Sequence, residues 1–65
     1  MKQLGNLALV CACRSDVLMQ LYEGEVSVHV GEGPERTVFY TAWDNDAAIN
    51  CIIHELNFGK YKEAA

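Results

Sequence analysis

The thiols and imidazoles of this sequence, Cys11, Cys13, Cys51, His29 and His54, are of types that bind soft and borderline metals or take part in nucleophilic catalysis. Cys11-Ala12-Cys13 brings two thiols close together, and Cys51-Ile52-Ile53-His54 sets a thiol and an imidazole at i and i+3. Together they form a Cys₃His donor set of the kind that holds zinc tetrahedrally. On a helix, at about 100° per residue, Cys51 and His54 fall opposite the stripe Ile49, Ile52, Ile53, Leu56. They therefore point away from whatever that stripe covers, and a site built from Cys11, Cys13, Cys51 and His54 closes only between subunits. The Cys-x-Cys spacing also differs from the Cys-x-x-Cys of familiar zinc motifs, and small buried cysteines are common core residues.

A thiolate nucleophile needs a pocket, a lowered pKa and an oxyanion donor besides a neighbouring imidazole, and nothing at readable spacing completes such a set. No catalytic residue is assigned, no cofactor is expected, and the chain reads as a non-enzyme. Gly31-Glu32-Gly33 lacks a third glycine and leads to Pro34, so it reads as a loop without a phosphate site. Asp44 and Asp46 are explained by a helix start.

These groups must be positioned by short elements. Leu4 to Cys13, LGNLALVCAC, is apolar at both parities, with Leu7, Leu9, Cys11 and Cys13 on one face and Ala8, Val10 and Ala12 on the other. That pattern predicts a strand over 4–13 buried on two sides. Two β-prone runs, 17–22 and 25–30, flank Glu23-Gly24, the length and type of link that favours a tight hairpin. Val26, Val28 and Val30 alternate with Ser27 and His29, as in a strand with one solvated face. GEGPER is a loop, and Thr37 to Ala42, TVFYTA, predicts a fourth strand. Asp44-Asn45-Asp46 opens a helix over 45–58, and Gly59 is placed to stop it as a left-handed residue. The expected fold is α+β: a four-stranded antiparallel meander with one C-terminal helix on one face, all 65 residues forming a single domain.

Composition narrows the class of partner. The chain is 51% hydrophobic and 22% charged, which suits a folded domain. At this size it buries only about 60% of the surface its unfolded chain exposes. The net charge of −4 argues against nucleic acid and anionic membranes as partners. The longest apolar run, Leu7 to Cys13, is far short of the roughly 18 residues of a membrane span. Three cysteines exclude a complete intramolecular disulfide set, and reduced thiols point to the cytoplasm.

Four strands about 4.8 Å apart are wider than one helix about 10 to 12 Å across, so part of the sheet lacks a cover within the chain. A homodimer is the expected remedy. Its interface is expected at Phe39, Tyr40 and Trp43, whose rings cannot all face the helix, and at Leu7 and Leu9 of the two-sided first segment. The expected function is thus a non-catalytic self-associating interaction module with room for another protein partner. Two alternatives are a metal-binding or thiol-dependent module and an acidic inhibitor. In the latter, Glu23, Glu25, Glu32, Glu35, Asp44 and Asp46 would occupy a basic groove of a nucleic-acid enzyme.

The stretch AWDNDAAINCIIHELNFGKY, Ala42 to Tyr61, resembles the C-terminal half of short uncharacterised bacterial proteins of the kind classed as domains of unknown function. The resemblance covers about a third of the chain. It implies a bacterial cytoplasmic protein from a mobile element, and it carries no catalytic residue across.

Overall fold

A helix, three strands and a second helix follow one another along the chain. The computed structural model describes residues 2–61. Helix α1 spans Lys2–Ala12, strands β1, β2 and β3 span Val17–Tyr22, Glu25–Val30 and Thr37–Ala42, and helix α2 spans Asp46–Asn57. The strands form one antiparallel sheet in the order β1-β2-β3. The expected four-stranded meander with a single helix is therefore corrected to a three-stranded sheet with two helices.

The correction lies wholly in the first segment. An apolar run without alternation is compatible with a doubly buried strand or with a buried helix, and residue type and length separate the two. Val10 is the only β-branched residue among Leu4 to Cys13, while leucine and alanine favour a helix. The helical period divides residues that a strand would have kept together. Leu7 and Cys11 are buried in the core, whereas Leu9 is 67% exposed and Cys13 is exposed.

The other elements form where patterning places them. Glu23 and Gly24 both have positive φ, 47° and 81°, so the two-residue hairpin turn is of the primed kind that matches strand twist. Asn45 caps α2, its Oδ1 accepting from the Ala48 N–H at 3.1 Å. At the other end Gly59 is not left-handed. The Phe58 and Gly59 N–H groups continue the helical pattern, donating to the His54 and Glu55 carbonyls at 2.8 and 3.2 Å.

The core joins Leu7 and Cys11 of α1, Val26, Val28 and Val30 of β2, and Ile49, Ile52 and Leu56 of α2. Both helices pack over one face of the sheet, the inner face, α1 toward β1 and α2 toward β3, with the valines of β2 between them. Two helices side by side are about 20 Å across and three strands about 14 Å, so the width argument for a missing cover no longer holds.

The two helices are pinned at both ends. The Asp46 carboxylate accepts from the Gln3 N–H at 3.2 Å, joining the two N-termini. At the opposite end Arg14, only 8% exposed, donates from Nη1 to the Leu56 carbonyl at 2.8 Å. Its Nε and Nη2 donate to the two carboxylate oxygens of Asp16 at 3.0 and 2.7 Å. These contacts make α1 and α2 parallel neighbours. The hydrogen bonds from Arg14 hold the Asp16 carboxyl below the usual carboxylate range.

Two measurements test this arrangement. Leu7→Ala is expected to lower stability by about 3 kcal/mol in denaturant unfolding, and Leu9→Ala by less than about 0.5 kcal/mol. Equal losses would restore the strand reading, in which both residues share a face. Because the folded pKa of Asp16 lies below its unfolded value, Asp16 stabilises the fold at pH above the unfolded value and ceases to do so as pH falls through the folded one. The melting-temperature advantage of the native chain over Asp16→Asn is expected at neutral pH and should shrink below about pH 4. A pH-independent difference would show that the Arg14–Asp16 pair contributes nothing.

Candidate interaction surface

The residues suited to metal chemistry are dispersed. Cys11 lies in the core, where burial pushes its thiol pKa up and the positive charge of Arg14 opposes this only in part. Cys13 follows the end of α1 and is exposed, and Cys51 is exposed on α2. His54, also exposed, tilts its ring against Phe58 at 5.4 Å. Among the described residues no three His, Cys, Asp or Glu side chains converge as a metal would require.

His29 stands on the outer face of the sheet, its Nε2 3.4 Å from Ser27 Oγ and its Nδ1 buried without a hydrogen-bond partner. A shallow cleft beside it includes Asp16, Glu32 and Arg36. Within it the Asp16 carboxylate is engaged by Arg14. The acidic residues are divided by the topology. Glu23, Glu25, Asp44 and Asp46 lie at the hairpin end of the sheet, while Glu32 and Glu35 lie at the other end next to Arg36.

The apolar surface is more extensive. Leu18 and Tyr22 of β1 and Tyr40 of β3 project from the outer face and are mostly exposed. Leu21 belongs to the inner face by register but lies beyond the cover of α1, and it is 57% exposed. A groove of about 380 Å³ runs between α1 and β1, lined by Ala8, Cys11 and Ala12 on the helix and Val17, Met19 and Leu21 on the strand. With Leu9 on the helix, this is an apolar band around one edge of the sheet. No residue from Gln3 to Ala12, and none from Val17 to Tyr22, is Lys, Arg, Asp or Glu.

The residues expected at an interface fall in separate places. Leu7 is completely buried inside the chain, and Phe39 is half-buried on the inner face with its ring edge-on to Tyr61 at 5.4 Å. Tyr40 is exposed on the outer face. Trp43, 41% exposed, lies at the hairpin end, its backbone N–H donating to the Gly24 carbonyl at 3.0 Å. Leu9 alone of the five belongs to the α1–β1 band. Leu18 and Leu21 are not among the expected residues, although the uncharged strand VLMQLY signals them. Arg14 is not among the expected residues, and its burial depends on the distant Leu56 carbonyl, which no local pattern signals.

Comparison of the chain with family models, with curated proteins and with solved structures finds no significant match. No residue role is carried over from a relative. Among the described residues no helix is long and apolar enough to cross a membrane.

Thiol labelling tests the placement of the cysteines. In the folded protein, iodoacetamide is expected to modify Cys13 and Cys51 and to reach Cys11 only in denaturant, as intact-mass steps would show. Rapid native labelling of Cys11 would contradict its burial.

Proposed function

We propose that this protein is a non-catalytic, self-associating interaction module that acts as a homodimer in a reducing cytoplasm. One observation carries the reading: α1 bears no charge from Gln3 to Ala12 and, Asn6 apart, is apolar on its outward side as well as its inward side. A helix that is apolar all round belongs in an interior, and an amphipathic surface helix shows charge on its outer face. Here the outward side of α1 carries Gly5, Ala8, Leu9 and Ala12 with Asn6 as its polar residue, and it adjoins the exposed Leu21 of β1. A contiguous apolar surface of this kind on a small chain is characteristic of an interface.

Self-association is favoured over an acidic inhibitor because the apolar band is continuous while the acids are split between two ends. It is favoured over a metal module because the thiols are dispersed and the buried one is held protonated. Free thiols at Cys13 and Cys51 are compatible with a reducing compartment.

Sedimentation equilibrium of the reduced chain is expected to give twice the 7.2 kDa chain mass, dissociating on dilution. A single-chain mass at every concentration would overturn the proposal. A native mass spectrum of the same sample reports bound metal, and a stoichiometric metal adduct would favour the thiol-dependent alternative instead.

A further inference from the structure

The hairpin determines which backbone groups of β1 are committed. In a two-residue hairpin the residues flanking the turn, Tyr22 and Glu25, form a pair that exchanges both hydrogen bonds, and such pairs then alternate along the ladder. The far end agrees with this parity, since the Gly31 N–H donates to the Asp16 carbonyl at 2.9 Å. Leu18, Gln20 and Tyr22 therefore turn their N–H and C=O groups toward β2. Val17, Met19 and Leu21 turn theirs outward, along the open edge.

The side chains of the same three residues line the groove under α1. Nothing guards this edge. Natural edge strands are commonly blunted by Lys, Pro or a bulge, and β1 has none of these over its continuous register from Val17 to Tyr22. The opposite edge differs, because the C-terminal segment sets Tyr61 against Phe39 with the Lys60 ammonium over the Tyr61 ring.

Charge and area both select a second copy as the occupant. Two chains that each carry −4 repel wherever their acids meet, and the α1–β1 flank is a long surface free of charged side chains. β1 is about 20 Å long and α1 about 16 Å long and 10 Å wide. Covering the strand edge, the groove and the outward side of α1 then buries on the order of 600 Å² per copy, about what the smallest stable dimers need.

Resting on the self-association reading above, we propose that β1 pairs antiparallel with β1 of a second copy about a twofold axis at Met19. In this register Met19 faces Met19, and Val17 of each copy faces Leu21 of the other. Every outward-facing residue of both strands then exchanges its hydrogen bonds. An axis between Met19 and Gln20 would set inward side chains opposite outward ones. An axis at Gln20 would leave Val17 unpaired. The two three-stranded sheets become one continuous sheet with all the helices on one face. The α1 helices meet over the axis through Ala8 and Ala12, whose small side chains allow close approach, and Leu9 is drawn into the contact.

Amide hydrogen exchange on the reduced, full-length chain, followed by NMR, tests the register. At concentrations where sedimentation shows a dimer, the Val17, Met19 and Leu21 amides are expected to exchange at least about ten-fold more slowly than in the diluted monomer. Leu21→Lys buries an unpaired charge at the pairing edge and is expected to raise the dissociation constant by about ten-fold or more. Phe58→Lys, on an exposed residue at the end of α2, should leave it unchanged. A dimer whose Val17, Met19 and Leu21 amides exchange freely would overturn this pairing while self-association stands. A chain that is monomeric throughout would remove both proposals. If Leu21→Lys does not fold, the exchange pattern of the unaltered chain decides.

Discussion

One buried guanidinium determines how the chain closes. Arg14 lies just after α1 and just before β1, and it reaches the last turn of α2 through the Leu56 carbonyl. Because α1 and α2 run parallel, their dipoles align and their negative ends lie side by side, which is unfavourable without a cation between them. Arginine suits the position because its planar fork serves the Asp16 carboxylate bidentately and still has a donor for the carbonyl. At the positive ends Asp46 begins α2 and accepts from the first turn of α1. Each charge stands at the dipole end it complements. An apolar residue in place of Arg14 would fill its volume but leave a buried carbonyl without a donor.

This pinning decides what remains uncovered. With the two helices drawn together on the inner face, the core centres on Val26, Val28 and Val30 between them, while Leu21 near the hairpin end of β1 and Phe39 of β3 are covered less fully. At β3 the shortfall is met by Tyr61 packing on Phe39. At β1 it is not met, and Leu21 with the groove beneath α1 stays open to solvent. The candidate surface therefore follows from an intramolecular constraint, and the metal-type residues have no comparable organisation.

Legibility in the sequence followed the clarity of the local signal. Strands β1, β2 and β3 and the body of α2 were readable because turn residues bracket them and their residue types suit them, with β2 and α2 also carrying clear periods. Ile49, Ile52 and Leu56 are buried as their spacing requires, and Val26, Val28 and Val30 face the core as alternation requires. α1 was misread because its run Leu7 to Cys13, apolar at every position, has no period from which to choose an element. The error extended to the site, since the strand reading grouped Leu7 with Leu9 and Cys11 with Cys13, pairs that the helix separates. It also made the sheet one strand wider and one helix poorer than it is, and so placed the shortfall of cover in the wrong part of the fold.

The sequence alone determined the hairpin at Glu23-Gly24, the capped start of α2, the inward valines and the absence of charge from two long stretches. These are local properties, set by backbone preference and by the alternation of residue types. Only the tertiary structure decided that the first segment is a second helix, that Arg14 is buried, and which edge of the sheet is left open. Those outcomes depend on contacts between residues more than 40 positions apart, Gln3 with Asp46 and Arg14 with Leu56. Local patterning carries no trace of such contacts, because the energy that selects them exists only once both partners are packed.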